Sequence, residues 1–171
     1  MLSLLPLLLS AATLGAPAPA RSVYALLDAP DRHVRTLDKR VQRLLATGVK
    51  RSPTFAAMMA SLNTSDVIVY IEPVQTLPTT LAGRLLLMPL SGQQRYLRVQ
   101  VAVTMNPDEM ISIVAHELRH AIEVADAPDV RNETGLVKLY ERIGRKSGVP
   151  HCYETDAAQD AARHVRRELV A

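Results

Sequence analysis

Two spacings of hydrophobic positions alternate along this chain, and the change of spacing divides it into helices, then strands, then helices. Between Asp31 and Ala46, Val34, Leu37, Val41, Leu44 and Leu45 return at intervals of three and four, which predicts an amphipathic helix. Gly48 stands where that helix would stop. Ser52-Pro53 opens a second helix, with a hydroxyl to cap it and a proline suited to its first turn. Phe55, Met58, Met59 and Leu62 line one face of it as far as Asn63. The period then shortens. Val67 to Ile71 is a β-branched and aromatic run that predicts a buried strand, bounded by Pro73 and Pro78. Leu85 to Met88 and Tyr96 to Val101 predict two more strands, with a turn at Ser91-Gly92-Gln93-Gln94 between them. In the last of these, Tyr96, Arg98 and Gln100 alternate with Leu97, Val99 and Val101, as in an antiparallel strand wet on one side.

Helical spacing returns at Asn106-Pro107-Asp108-Glu109, where a capping amide, a first-turn proline and early acids coincide. This helix runs to about Ala125, with Pro128 beyond it. A further helix covers Glu133 to Ile143, with Asp129 and Glu133 reading as caps. The last spans Glu154 to Leu169, and a loop with Gly144 and Gly148-Val149-Pro150 separates the two. The pattern as a whole predicts an α+β fold.

The first twenty residues belong to another kind of sequence. Met1 to Ala20 holds no charged residue, is too short and interrupted to span a bilayer, and ends in Ala18-Pro19-Ala20. It reads as a secretory signal peptide cleaved after Ala20, atypical in having no Lys or Arg ahead of its apolar run. The other reading is a buried N-terminal helix. Export places the mature chain, residues 21–171, in a secreted or periplasmic setting as one domain. No later segment is apolar enough to cross a membrane.

Composition narrows the classes. Of 171 residues, 48% are apolar and 22% charged, which excludes a wholly disordered chain. The single cysteine excludes an internal disulfide. The net charge of +3 with only 4% aromatics speaks against a nucleic-acid surface.

The chemistry lies in the helix that starts at Asn106, at His116-Glu117-Leu118-Arg119-His120. Residues four apart share one helix face, so two imidazoles can reach one metal ion. With a third nitrogen or oxygen ligand they suit Zn²⁺ and leave a fourth position for water. Glu117, next to the first imidazole, is placed as a general base toward that water. Apolar residues from Met110 to Ala115 bury the helix, and buried His and Glu need partners.

This segment resembles the zinc-binding helix of the zincin metallopeptidases, and the order of helix, small mixed sheet, active-site helix and C-terminal helices is similar over residues 66–165. The short length is most like the minimal gluzincins. The resemblance implies a zincin-like domain holding one Zn²⁺ per chain through His116, His120 and a glutamate from a later helix, for which Glu154 is the matching position. That family often carries an aspartate four residues later to support the first histidine. Position 158 is Ala here, which leaves Asp156 or Asp160 for that task. In the metzincin branch the third ligand falls ten residues after the first histidine, at Asp126. The glycine that lets that chain turn back is replaced by Glu123. Glu123 shares a face with His120, but lies seven positions and so about 10 Å from His116 along a straight helix, too far to complete a tetrahedral set.

Other side chains qualify as accessory groups. His151 or Tyr153 could stabilise an oxyanion, and Cys152 reads as a partly buried free thiol. His164 with Asp160 reads as a surface pair, and His33, Arg163, Arg166 and Arg167 as solvated. Three functions fit. The first is a zinc metallopeptidase acting on a peptide or protein that pairs with the edge of the strand ending near Val101. The second is an inactive zincin-like binding or assembly protein, and the third a zinc amidohydrolase on a non-peptide substrate. Glu117 favours an enzyme, because ligation does not need it and hydrolysis does.

Overall fold

The computed structural model describes residues 32–78, 81–89, 94–146 and 153–171. The expected signal peptide and its cleavage site, the apolar piece Val23 to Leu27, most of the turn at Ser91, the loop at Gly148, and His151 and Cys152 lie outside the described residues.

The chain enters on β1 (Val34–Arg35) and continues into α1 (Lys39–Arg51), α2 (Pro53–Asn63), β2 (Val67–Val74), β3 (Gly83–Leu87) and β4 (Arg95–Ala102). Then follow α3 (Pro107–Ala125), α4 (Glu133–Ile143), the short strands β5 (Arg145–Lys146) and β6 (Tyr153–Glu154), and α5 (Asp156–Val170). The fold is α+β, with five helices and a small mixed sheet among the described residues.

The expected helix from Asp31 to Ala46 is corrected at its start. Val34 is 1% exposed and pairs in β1, whereas Leu37 is 95% exposed, so the two cannot share a buried helix face. Asp38 sets the true start: its carboxylate accepts from the backbone N–H of Arg40 and Val41. Gly48 does not end the helix either. It is buried within α1, where a Cβ would lie 3.0 Å from the Phe55 ring and 3.1 Å from Ile111. Ser52 closes α1 and caps α2, its hydroxyl accepting from Phe55 N–H. Glu168 of α5 accepts from the Ser52 and Thr54 hydroxyls and from Thr54 N–H, which ties α5 to this corner.

The sheet order is β1-β2-β4-β3, with β1, β2 and β4 parallel and β3 antiparallel to β4. Pro73, expected beyond the strand, is inside β2, opposite Val101. Val67, Val69, Ile71, Leu97, Val99 and Val101 are buried on the side of the helices, and Tyr70, Glu72, Tyr96, Arg98 and Gln100 face away. The wet and dry faces of β4 are therefore as its alternation predicts.

α3 runs through the core under the sheet and against α5, and Asn106 caps it by accepting from Glu109 N–H. Its C-terminal end is held by Arg95, whose side chain is fully buried. That guanidinium donates to the carbonyls of Val124, Ala125, Ala127 and Val130 and to both carboxylate oxygens of Asp66. One strand residue so fills the acceptors that a helix end leaves open. α4 is capped by Asn132, not by Asp129 or Glu133; Glu133 occupies its first turn.

Candidate metal centre

α3 presents His116 and His120 on successive turns, and the β5–β6 hairpin with the start of α5 brings Glu154 to them. The expectation that Glu154 begins the last helix is corrected. It ends β6, and Thr155 caps α5 by accepting from Ala158 N–H. Gly144 allows this approach, since a Cβ there would lie 2.9 Å from the Glu154 carbonyl.

Glu154 Oε1 is 3.0 Å from His116 Nε2 and 3.7 Å from His120 Nε2, and the three donors lie within 4.8 Å of one another. Donors around one tetrahedral ion at about 2.1 Å stand roughly 3.4 Å apart, so this group needs little adjustment to hold a metal ion. Glu154 Oε1 is buried and makes no hydrogen bond, an orphan that a cation between the donors would satisfy.

Behind the donors stands Glu123. Its Oε2 lies 2.8 Å from His120 Nδ1, and its Oε1 accepts from the Thr155 hydroxyl at 2.7 Å. A carboxylate only accepts, so Nδ1 carries the proton and Nε2 is left to face Glu154. Glu123 thus lies outside the donor group; it orients one donor and, through Thr155, fixes the residue next to another. Its i+3 spacing from His120 was the available signal. Asp156 does not take this part, being exposed and paired with Arg145. Asp160 pairs with Arg163, and His164 contacts its backbone carbonyl, not its carboxylate. Asp126 is an exposed residue at the end of α3 and lies outside the donor group.

The ring of His120 stands edge-on to His116, with centroids 4.8 Å apart, and edge-on to Tyr140 at 5.3 Å. Tyr153 stacks on Tyr140 at 6.0 Å. Glu117 is 5% exposed. Burial pushes its carboxyl above the usual range, partly offset by the two imidazoles. Burial works against the charge of His120 too, but the facing carboxylates of Glu123 and Glu154 outweigh it and carry the pKa up to about 9. For Glu154 burial also opposes ionisation, and the two imidazoles overcome it and hold the carboxyl well below its usual range. The centre is organised around a positive charge.

These groups line a cleft with Leu81, Gly83, Arg84, Leu85, Leu136 and Val137. Its wall is β3, whose Gly83 touches Glu117: a Cβ at that position would fall 2.7 Å from Glu117 Oε1. The substrate edge expected on the strand ending near Val101 is corrected. That strand is β4, paired on both sides, and of the two edge strands among the described residues, β1 and β3, it is β3 that borders the cleft. The spacing in the sequence carries no sign of this, because strand order is set by non-local pairing.

No protein-family model, curated protein or solved structure matches the chain.

Proposed function

We propose that the protein is a zinc metallopeptidase of zincin type, with His116, His120 and Glu154 as ligands and Glu117 as general base. The observation that carries the proposal is a buried carboxylate, Glu117, beside three converging donors of two imidazoles and one glutamate. That donor set is one of the catalytic zinc types. Zn²⁺ there would supply a Lewis acid that polarises a carbonyl and makes water nucleophilic near neutral pH.

The chain's own residues do the rest. Glu117 takes a proton from the attacking water on its carboxylate and returns it to the leaving amine nitrogen. Its raised proton affinity suits both halves of that transfer. Glu123 keeps the proton of His120 on Nδ1, so that Nε2 stays available. The free edge of β3 can pair with an extended peptide backbone across the cleft. Leu81, Leu85 and Leu136 keep water from its walls. Tyr153, at the cleft beside Glu154, is a phenol donor toward an oxygen gaining charge. The uncharged, small-residue-ended first twenty residues support export, to the periplasm or the exterior. Among the described residues no helix is long and apolar enough to cross a membrane.

The test is elemental analysis together with cleavage of a peptide library. Wild type should hold about one zinc per chain and cleave, His120→Ala should lose the metal, and Glu117→Gln should keep it and lose hydrolysis. Zinc-loaded wild type that cleaves no peptide would favour the non-hydrolytic reading, and a chain that binds no metal would refute both.

A further inference from the structure

The donor group borders two cavities. His116 and Glu154 belong to the lining of the cleft under β3, about 190 Å³, and of a second cavity on the α5 side, about 280 Å³. The two differ in chemistry. The first is walled by Leu81, Leu85, Leu136 and Val137; the second is walled by Ser112, Gln159, Arg163 and Arg166. Ser112 is already engaged, donating to the Ala162 carbonyl. Arg163 pairs with Asp160, while Arg166, one turn on, is exposed and makes no ion pair among the described residues.

We infer that the α5 cavity is a carboxylate subsite, in which Arg163 and Arg166 bind an acidic side chain or a terminal carboxylate of the substrate; the inference rests on the peptidase reading. His116 and Glu154 line both cavities, so a peptide whose scissile carbonyl lies at these two donors has one flank toward each. One flank of that bond meets aliphatic side chains. The other meets two guanidinium groups, the side chains best shaped to take a carboxylate. The substrate class is therefore a peptide with an aliphatic residue on one side of the cleaved bond and a carboxylate on the other.

The experiment uses the zinc-loaded full chain carrying Glu117→Gln, which holds a peptide without cutting it. Binding of three fluorescein-labelled probes is followed by anisotropy: Ala-Leu-Leu-Glu-Ala amide, its Gln counterpart amide, and that Gln counterpart with a free C-terminal carboxylate. The expected result is that one or both carboxylate probes bind about fivefold more tightly than the neutral one, as partly exposed charge pairs allow. The preference should vanish in Arg163→Gln/Arg166→Gln and shrink as salt is raised. The probe that gains identifies an acidic side chain or a chain terminus as the ligand. Equal binding of all three, no binding of any, or a preference that survives the double substitution overturns the inference. Arginines that merely balance the charge of Glu154 would change zinc affinity without changing the ranking of probes, which also overturns it. Cleavage by wild type is scored separately. A carboxylate preference in a chain that cleaves nothing supports the subsite and refutes the peptidase, and cleavage without preference does the reverse.

Discussion

Replacing Gly83 with alanine separates the carboxylate proposed to move protons from the three donors proposed to hold the metal. The glycine serves space here, not backbone conformation, since its φ is not in the left-handed region. An added Cβ would stand 2.7 Å from Glu117 Oε1, 2.8 Å from Ile113 Cγ2 and 3.1 Å from Glu117 Cγ, against ordinary contacts of 3.4–4 Å. The carboxylate must therefore retreat by about 0.7 Å from β3, the difference between 3.4 and 2.7 Å. A glutamate tip swings at little cost, and Ile113 can adjust. The stability loss should stay near the lower end for overpacking, about 1 kcal/mol, or about 3 °C in Tm. Rate is less forgiving, because a misplacement approaching 1 Å at a reacting group can cost about 100-fold. None of the three donors is on β3, so zinc content should not change. The assays are kcat on a cleaved peptide, Tm by calorimetry and zinc per chain. A kcat within threefold of wild type would show that β3 backs away instead of Glu117, and loss of zinc would show that the substitution acts through the ligands.

Three further outcomes test the surroundings of the centre. Glu123→Ala leaves His120 Nδ1 and the Thr155 hydroxyl without their acceptor, and zinc affinity, measured by competition with a chromophoric chelator, should fall about 10- to 100-fold; a change under twofold would remove Glu123 from the role given to it. Arg95→Met strips four carbonyls and Asp66 of a buried donor and should cost about 3–5 kcal/mol in denaturant unfolding, with less than 1 kcal/mol refuting the clamp. Asp66 is held below its ordinary 3.8 chiefly by the hydrogen bond from Arg95, against a smaller effect of burial. Its folded pKa is the lower one, so its contribution is full above pH 3.8 and disappears as pH falls through the folded value. Asp66→Asn should accordingly flatten the loss of stability below pH 4, and an unchanged slope would count against the pairing.

What the sequence discloses and what it hides divide along the range of the interactions. His116, Glu117 and His120 are legible because helix geometry alone puts residues four apart on one face. The start of α3 is equally legible, since Asn106, Pro107 and Glu109 act within one turn. Val34 was misread because its spacing from Leu37 and Val41 imitates a helix, while its partner Val69 is far away in the chain. The place of β3 at the sheet edge, and hence the free strand beside the cleft, depends on β4 inserting between β2 and β3. Nothing within either strand specifies that. Arg95 lies just ahead of the expected strand and nothing local marks it; only the assembled fold brings four carbonyls to it. Spacing places Glu123 on the face of His120, as an alternative donor or a supporting group, but it does not show the Thr155 hydroxyl that fixes its carboxylate.

The corner where Glu168 reaches back to Ser52 and Thr54 has a consequence for the order in which the molecule is made. Synthesis delivers both imidazoles and Glu117 well before Glu154, and Glu154 before the helix that fixes it. α5 docks through Glu168, close to its far end, onto a corner built from the first two helices. The third donor thus waits for a closure between helices more than a hundred residues apart. While the polypeptide is still emerging its donor group is incomplete, and the peptide cleavage proposed above would become possible only with the finished fold.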